Sequence, residues 1–256
     1  MADALYAFFS VSQDVNNLRT PGLVTLPMIG RIVEHIKTGK KEILEYALRC
    51  VESLSAADDC FGLALVQQGV LNALEGVIGS RSGANICASC LIISNLAAAG
   101  EHIIEVMLKQ GVYSQIQLLL REDNLNVAKE AVWVVNNTLL LGDTEQVLAV
   151  LEKGIFELCL DLLGKKDTSI QSQVLKMIYE FSVRARTFKG ETVPKLIEKT
   201  LQERGGFTRI ELLSTHMNSV VSGLAERVLK IYEESEDIVA KDDPMLVQPA
   251  QSVFSF

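Results

Sequence analysis

Proline and glycine are scarce in this chain: 5 prolines and 17 glycines in 256 residues are too few for a turn-dense β fold. Aromatic side chains are also few, 6% against 48% hydrophobic residues in all, so Leu, Ile, Val and Ala must fill the core, which suits helix packed on helix. Long apolar runs are missing. Stretches such as Val132 to Leu141 fall far short of the roughly 20 residues that span a bilayer. Basic residues are in deficit, 24 Lys and Arg against 32 Asp and Glu, a net charge of −8. That argues against nucleic acid as the principal ligand and favours basic partners. Met1 to Asn16 has no basic region ahead of an apolar one, so no signal peptide is expected. The five cysteines (Cys50, Cys60, Cys87, Cys90, Cys159) are odd in number and scattered through apolar stretches, which suits reduced thiols and a cytoplasmic and nuclear location. The phosphate-loop, nucleophile-elbow and zinc-helix patterns G-x-x-x-x-G-K-[ST], G-x-S-x-G and H-E-x-x-H are absent. Cys87-Ala-Ser-Cys90 is a lone pair, and His35, His102 and His216 stand far apart. The expectation is no metal, no cofactor and no catalysis.

What is present is a period. Val66-Gln-Gln-Gly69-Val70, Leu108-Lys-Gln-Gly111-Val112 and Leu151-Glu-Lys-Gly154-Ile155 repeat one context at spacings of 42 and 43 residues. A fixed period of this size predicts an α-solenoid. Each Gly closes a short helical pattern and opens a middle helix: Val70 to Ile78, Val112 to Leu120 and Ile155 to Leu163. After a polar turn come longer helices, about Ile86 to Ala98, Val127 to Leu140 and Ser169 to Arg184, with apolar residues at i, i+3, i+4 and i+7. Short, middle and long helices in succession make an armadillo unit, whose apolar face is buried only by stacking. The fold expected is all-α, a right-handed superhelical solenoid of about five armadillo repeats with partial ends. Residues 1–25 read as a partial repeat and irregular loop, 26–235 as the array, and 236–256 as an acidic tail of disordered composition.

Long helices line the inner surface of such an array, so residues repeated on them form a row. Asn95 and Asn137 are 42 residues apart at equivalent places, and Trp133 lies one turn before Asn137 on the same face. An amide row can hold an extended peptide's backbone, and an indole face receives the stem or cation of Lys or Arg. Glu130 and Asp59 would complete a site for basic side chains. A tryptophan on an apolar helix is as a rule core; the repeated spacing is what moves the reading toward a binding row. Arg184, Arg186 and Lys189 read as a solvated helix end.

Glu130-Ala-Val-Trp133-Val-Val-Asn-Asn137 resembles the E-A-x-W-x-x-x-N motif of the importin-alpha family, the adaptors that bind nuclear localisation signals. Cys90 to Leu96 and Tyr46 to Ser53 resemble the equivalent segments of two preceding repeats. Gly206 to His216 with Ala225 to Tyr232 resembles the family's last repeat, and the acidic stretch from Glu233 with the final Phe254-Ser-Phe256 its tail. The resemblance covers the carboxyl-terminal half of the family. Position by position it implies peptide contacts at Arg49, Asp59, Ser94, Asn95, Glu130, Trp133 and Asn137. It also implies an export-receptor contact through Glu233, Glu234, Glu236 and Asp237, or else a solubilising cap there. Leu91 stands where the family has Trp and Ser53 where it has Asn, so weaker or altered signal binding is expected. The family's basic importin-beta-binding segment has no counterpart here, which argues against that partner. Thr20 to Ile36 resembles a still earlier repeat, so either a repeat is lost before Arg49 or Glu42 to Leu54 is a hybrid. The expected function is a non-catalytic adaptor for Lys/Arg-rich peptides of cargo proteins. The alternative is an armadillo scaffold with a degenerate groove that docks other proteins.

Overall fold

The computed structural model describes residues 2–12, 24–39, 41–80 and 82–233. Among them every regular element is a helix: α1 (Ala2–Ser12), α2 (Leu26–Thr38), α3 (Lys41–Ala57), α4 (Asp59–Gln67), α5 (Val70–Ile78), α6 (Gly83–Ala98), α7 (Glu101–Lys109), α8 (Val112–Leu120), α9 (Leu125–Leu141), α10 (Thr144–Leu151), α11 (Ile155–Leu162), α12 (Thr168–Ala185), α13 (Thr192–Glu203), α14 (Gly206–Ser214) and α15 (Ser219–Glu233). The short–middle–long order recurs as α4–α6, α7–α9, α10–α12 and α13–α15, with α2 and α3 as an incomplete unit ahead of them.

The punctuation has a local cause. Gly111 and Gly154 adopt φ of 74° and 72°, left-handed values that fold the chain sharply between a short and a middle helix. Gly69 and Gly205 do the same at the equivalent turns. Acidic and hydroxyl caps set the other starts: Asp58, Ser82, Asp143 and Asp167 each accept a hydrogen bond from a first-turn backbone N–H. At Asp143 the Gln146 side chain bonds back to complete a capping box.

The chain forms two compact units, Met1–Val134 and Val135–Phe256, and the division falls within α9. In the first unit, long helix packs on long helix (α3 on α6) and middle on middle (α2 on α5, α5 on α8). Here α1 lies against α3, as α3 lies against α6. Leu5 is buried there, the Tyr6 and Tyr46 rings meet edge-on at 5.8 Å, and Cys50 Sγ contacts the Leu5 carbonyl at 3.4 Å. Within the segment expected as a partial repeat and loop, residues 2–12 form a helix packed against α3, and residues 13–23 lie outside the described residues. In the second unit α12 packs on α15, with Phe156 edge-on to Phe181 at 5.9 Å and Phe207 to Tyr232 at 5.1 Å. Branched aliphatics fill both cores, as the composition requires. Residues 234–256, which include the whole acidic tail expected at 236–256, lie outside the described residues.

Arg184 and Arg186 do more than end a helix in solvent. Arg184 Nε donates to the Leu140 carbonyl at 3.0 Å, and its guanidinium stacks on Phe188 at 4.6 Å. Arg186 donates to the Ile231 carbonyl. From the end of α12 the two arginines thus satisfy carbonyls in the last turns of α9 and α15, where a cation also opposes the helix dipole.

Candidate functional site

Within the first unit the named residues gather on α3, α6 and the first part of α9. Burial pushes the Glu130 carboxyl above its ordinary range, and the charge of Glu52 on α3 pushes it the same way, against the easing effect of Lys129. Burial likewise raises Glu52, opposed by Arg49. Two half-buried carboxylates thus stand on different long helices, and Glu130 feels the charge of Glu52. Glu52 carries no motif of its own. Its signal in the sequence is only its place one turn after Arg49 on a helix in register with α9.

The other candidates are held with differing freedom. Asn95 is half-buried and donates from Nδ2 to Ser55 Oγ at 3.1 Å, linking α6 to α3. Ser94 is buried beside it. Trp133 is half-buried, neither sealed in the core nor fully in water. Arg49 pairs with Glu45 at 3.0 Å and lies over the Phe9 ring at 5.6 Å, so α1 engages its guanidinium. Asp59 is exposed in the first turn of α4, just past the end of α3. Cys87 and Cys90 both lie on α6, Cys90 buried, and both thiols are raised chiefly by burial, with the Glu130 charge adding to it. Such thiols are poor nucleophiles.

Asn137 lies one turn beyond Trp133 on α9, in the part counted with the second unit, and is 5% exposed. Its neighbour Asn136 donates from Nδ2 to Glu180 Oε2 on α12 at 3.3 Å. Glu180 also pairs with Lys176 at 3.6 Å. The 42-residue spacing singled out Asn137, whereas Asn136, with no partner at that interval, gave no signal. Of the acidic quartet at the carboxyl end, Glu233 is exposed in the last turn of α15, and Glu234, Glu236 and Asp237 lie outside the described residues.

Among the described residues no group of His, Cys, Asp and Glu is placed to hold a metal ion. The long-helix surface offers carboxylates, amides and one indole, groups able to pair with cations, hydrogen-bond a backbone and stack.

Comparison with known proteins agrees with the resemblance at low identity. The chain is similar to importin subunit alpha-1 of Caenorhabditis elegans, 22% identical over 223 residues, which are 86% of this chain and 41% of that protein. It therefore spans about two fifths of that curated relative's length. No family model matches it. Among solved structures it is similar to a designed armadillo repeat protein in complex with the peptide (KR)4, with a TM-score of 0.76 at 20% identity, covering 90% of this chain and 92% of that one. It is also similar to computationally designed armadillo repeat proteins for modular peptide recognition, with a TM-score of 0.73 at 20% identity, covering 89% and 91%. The fold is an α-solenoid of armadillo repeats, and the sequence is importin-alpha-like.

Proposed function

We propose that this importin-alpha-like armadillo array is a non-catalytic scaffold that binds an extended, Lys/Arg-rich peptide along its long helices. The observation that carries the reading is the glutamate pair. Glu52 and Glu130 are both kept half-buried, burial raises both carboxyls, and the charge of Glu52 raises Glu130 further, an arrangement that costs stability unless a cation enters. Trp133 lies less than one turn from Glu130 on α9 and offers a face for an aliphatic stem or a guanidinium. Asn95 and Asn137 supply the amides that would hold the peptide backbone. The similar designed protein that was solved with (KR)4 supports a basic ligand, and the likeness to importin alpha supports nuclear-localisation-type cargo and a cytoplasmic and nuclear setting. With Leu91 and Ser53 at two family groove positions, the neighbouring rungs lose an indole wall and an amide. Micromolar or weaker affinity follows, each lost aromatic contact being worth about 0.5–2 kcal/mol.

Titrating Trp133 fluorescence with a bipartite basic peptide tests the reading. Saturable binding that weakens in salt and in Asn137→Ala is expected. A folded protein with no salt-sensitive binding below millimolar peptide would rule the groove out.

The second reading, docking of other proteins through an end of the array, draws on Leu212, Met217 and Val220, which are 70%, 102% and 60% exposed at the α14–α15 corner. An affinity for cargo peptides unchanged by Asn137→Ala but lost in Met217→Asp would favour it. On either reading an export-receptor contact through Glu233 and the residues after it is a further part of the proposal.

A further inference from the structure

The Gly111 to Gly154 interval is 43 residues, and the same step carries Trp133 to Lys176 and Asn137 to Glu180. Where α9 presents an indole and an amide, α12 presents an ammonium and a carboxylate one turn apart. Lys176 Nζ lies 3.6 Å from Glu180 Oε1, with the Glu180 side chain 9% exposed and that of Lys176 34%. The other carboxylate oxygen, Oε2, accepts from Asn136 Nδ2 at 3.3 Å. Both oxygens of Glu180 are thus taken up by the chain itself. A second cation stands by: Arg227 on α15 stacks on Tyr179 at 4.1 Å, and its charge, with that of Lys176, favours the ionised Glu180 against the burial that opposes it.

We infer that Lys176 is a built-in occupant of this rung: its ammonium sits against Glu180 where a peptide lysine would otherwise sit, and it closes α12 to a basic ligand. The inference extends the basic-peptide reading and rests on it for its consequence, a row that accepts cations only on the helices before α12. The assignment of the rung itself is tested without any peptide.

In the full chain, Lys176→Ala leaves a lysine-shaped vacancy beside a buried carboxylate. n-Butylammonium chloride, an alkylammonium of the same stem and head, should restore most of the Tm lost in Lys176→Ala. It should do nothing for wild type or for the double variant Lys176→Ala/Glu180→Gln, which removes the charge but keeps an acceptor for Asn136, beyond the effect of sodium chloride at equal ionic strength. The double variant, which leaves no unpaired charge, should also be the more stable of the two and keeps the test open if the single variant fails to fold. Absence of rescue in folded Lys176→Ala, equal rescue in wild type, rescue persisting in the double variant, or a double variant no more stable than the single one overturns the assignment. A fluorescein-labelled Lys/Arg octapeptide should bind Lys176→Ala about fivefold more tightly than wild type. Rescue by butylammonium with no peptide binding to either protein would uphold the rung and sink the proposed function. Equal peptide binding with no rescue would do the reverse.

Discussion

Glu130 carries a cost that only its charged form incurs. Its carboxyl binds a proton more tightly in the folded chain than in the unfolded one, because burial and the charge of Glu52 both penalise ionisation. As pH rises from the ordinary glutamate value of 4.5 through the raised one, the unfolded state gives up its proton first and folding stability falls; above the raised value the loss is complete. Glu130→Gln removes this penalty. The variant should melt above wild type at pH 7, with the difference vanishing below the ordinary glutamate range, as thermal unfolding across pH would show. The same variant should bind a basic peptide less well. A variant that gains stability and loses affinity together would mark Glu130 as a residue kept for its ligand. If Glu130→Gln were destabilising at pH 7, the carboxylate would be structural and the binding role would lose its main support. The motif around Trp133 made Glu130 legible in the sequence. Glu52 was not legible, because its meaning lies wholly in which long helix packs against α3.

At the scale of the helix, the glycines that mark the repeat and the glycines that do not should respond to substitution with opposite sign. Gly111 has φ of 74° and open space where a Cβ would go, so Gly111→Ala meets only backbone strain and should cost about 1–2 kcal/mol. Gly76 lies inside α5, also with open space around a Cβ, so Gly76→Ala should gain about 0.5–1 kcal/mol. Urea midpoints with unchanged slope would read both. Arg184→Ala, which removes the bond to the Leu140 carbonyl, should cost about 1–2 kcal/mol by the same measurement. The middle and long helices were legible within two or three residues, since a 3.6-residue apolar pattern and a Gly or Asp boundary are local signals. The arginine clasps were not. A contact from Arg184 to a carbonyl 44 residues away depends on register between helices, and in the sequence the cluster reads as a charged helix end. The helix Ala2–Ser12 was legible only as part of a partial repeat for a related reason: its apolar residues make sense only against α3.

Over the whole chain the fold was legible because one unit recurs at a 42–43-residue step and each copy repeats the same evidence. The binding surface was legible only in part, since its rungs have diverged from helix to helix: Leu91, Trp133 and Lys176 hold one register position with three different chemistries. That divergence bears on how the net charge of −8 acts. A uniformly acidic protein would draw any cation weakly and everywhere, and the attraction would vanish by a few tenths molar salt, where the screening length is only several ångströms. A peptide seated between Glu52 and Glu130 beside Trp133 should behave differently. The long-range part should still be screened, so raising sodium chloride from about 0.05 to 0.5 M should weaken binding about tenfold, mostly through slower association. The part made at the partly desolvated carboxylates and the indole should remain, and the Trp133 emission change at saturation should be the same at both salt concentrations. Stopped-flow measurement of both rates separates the two contributions. Glu130→Gln should then raise the dissociation rate, whereas Glu122→Gln, an exposed acid away from these contacts, should lower only the association rate. Equal effects of the two substitutions on association, with dissociation untouched, would mean that charge alone draws the peptide and that the row of long helices does not seat it.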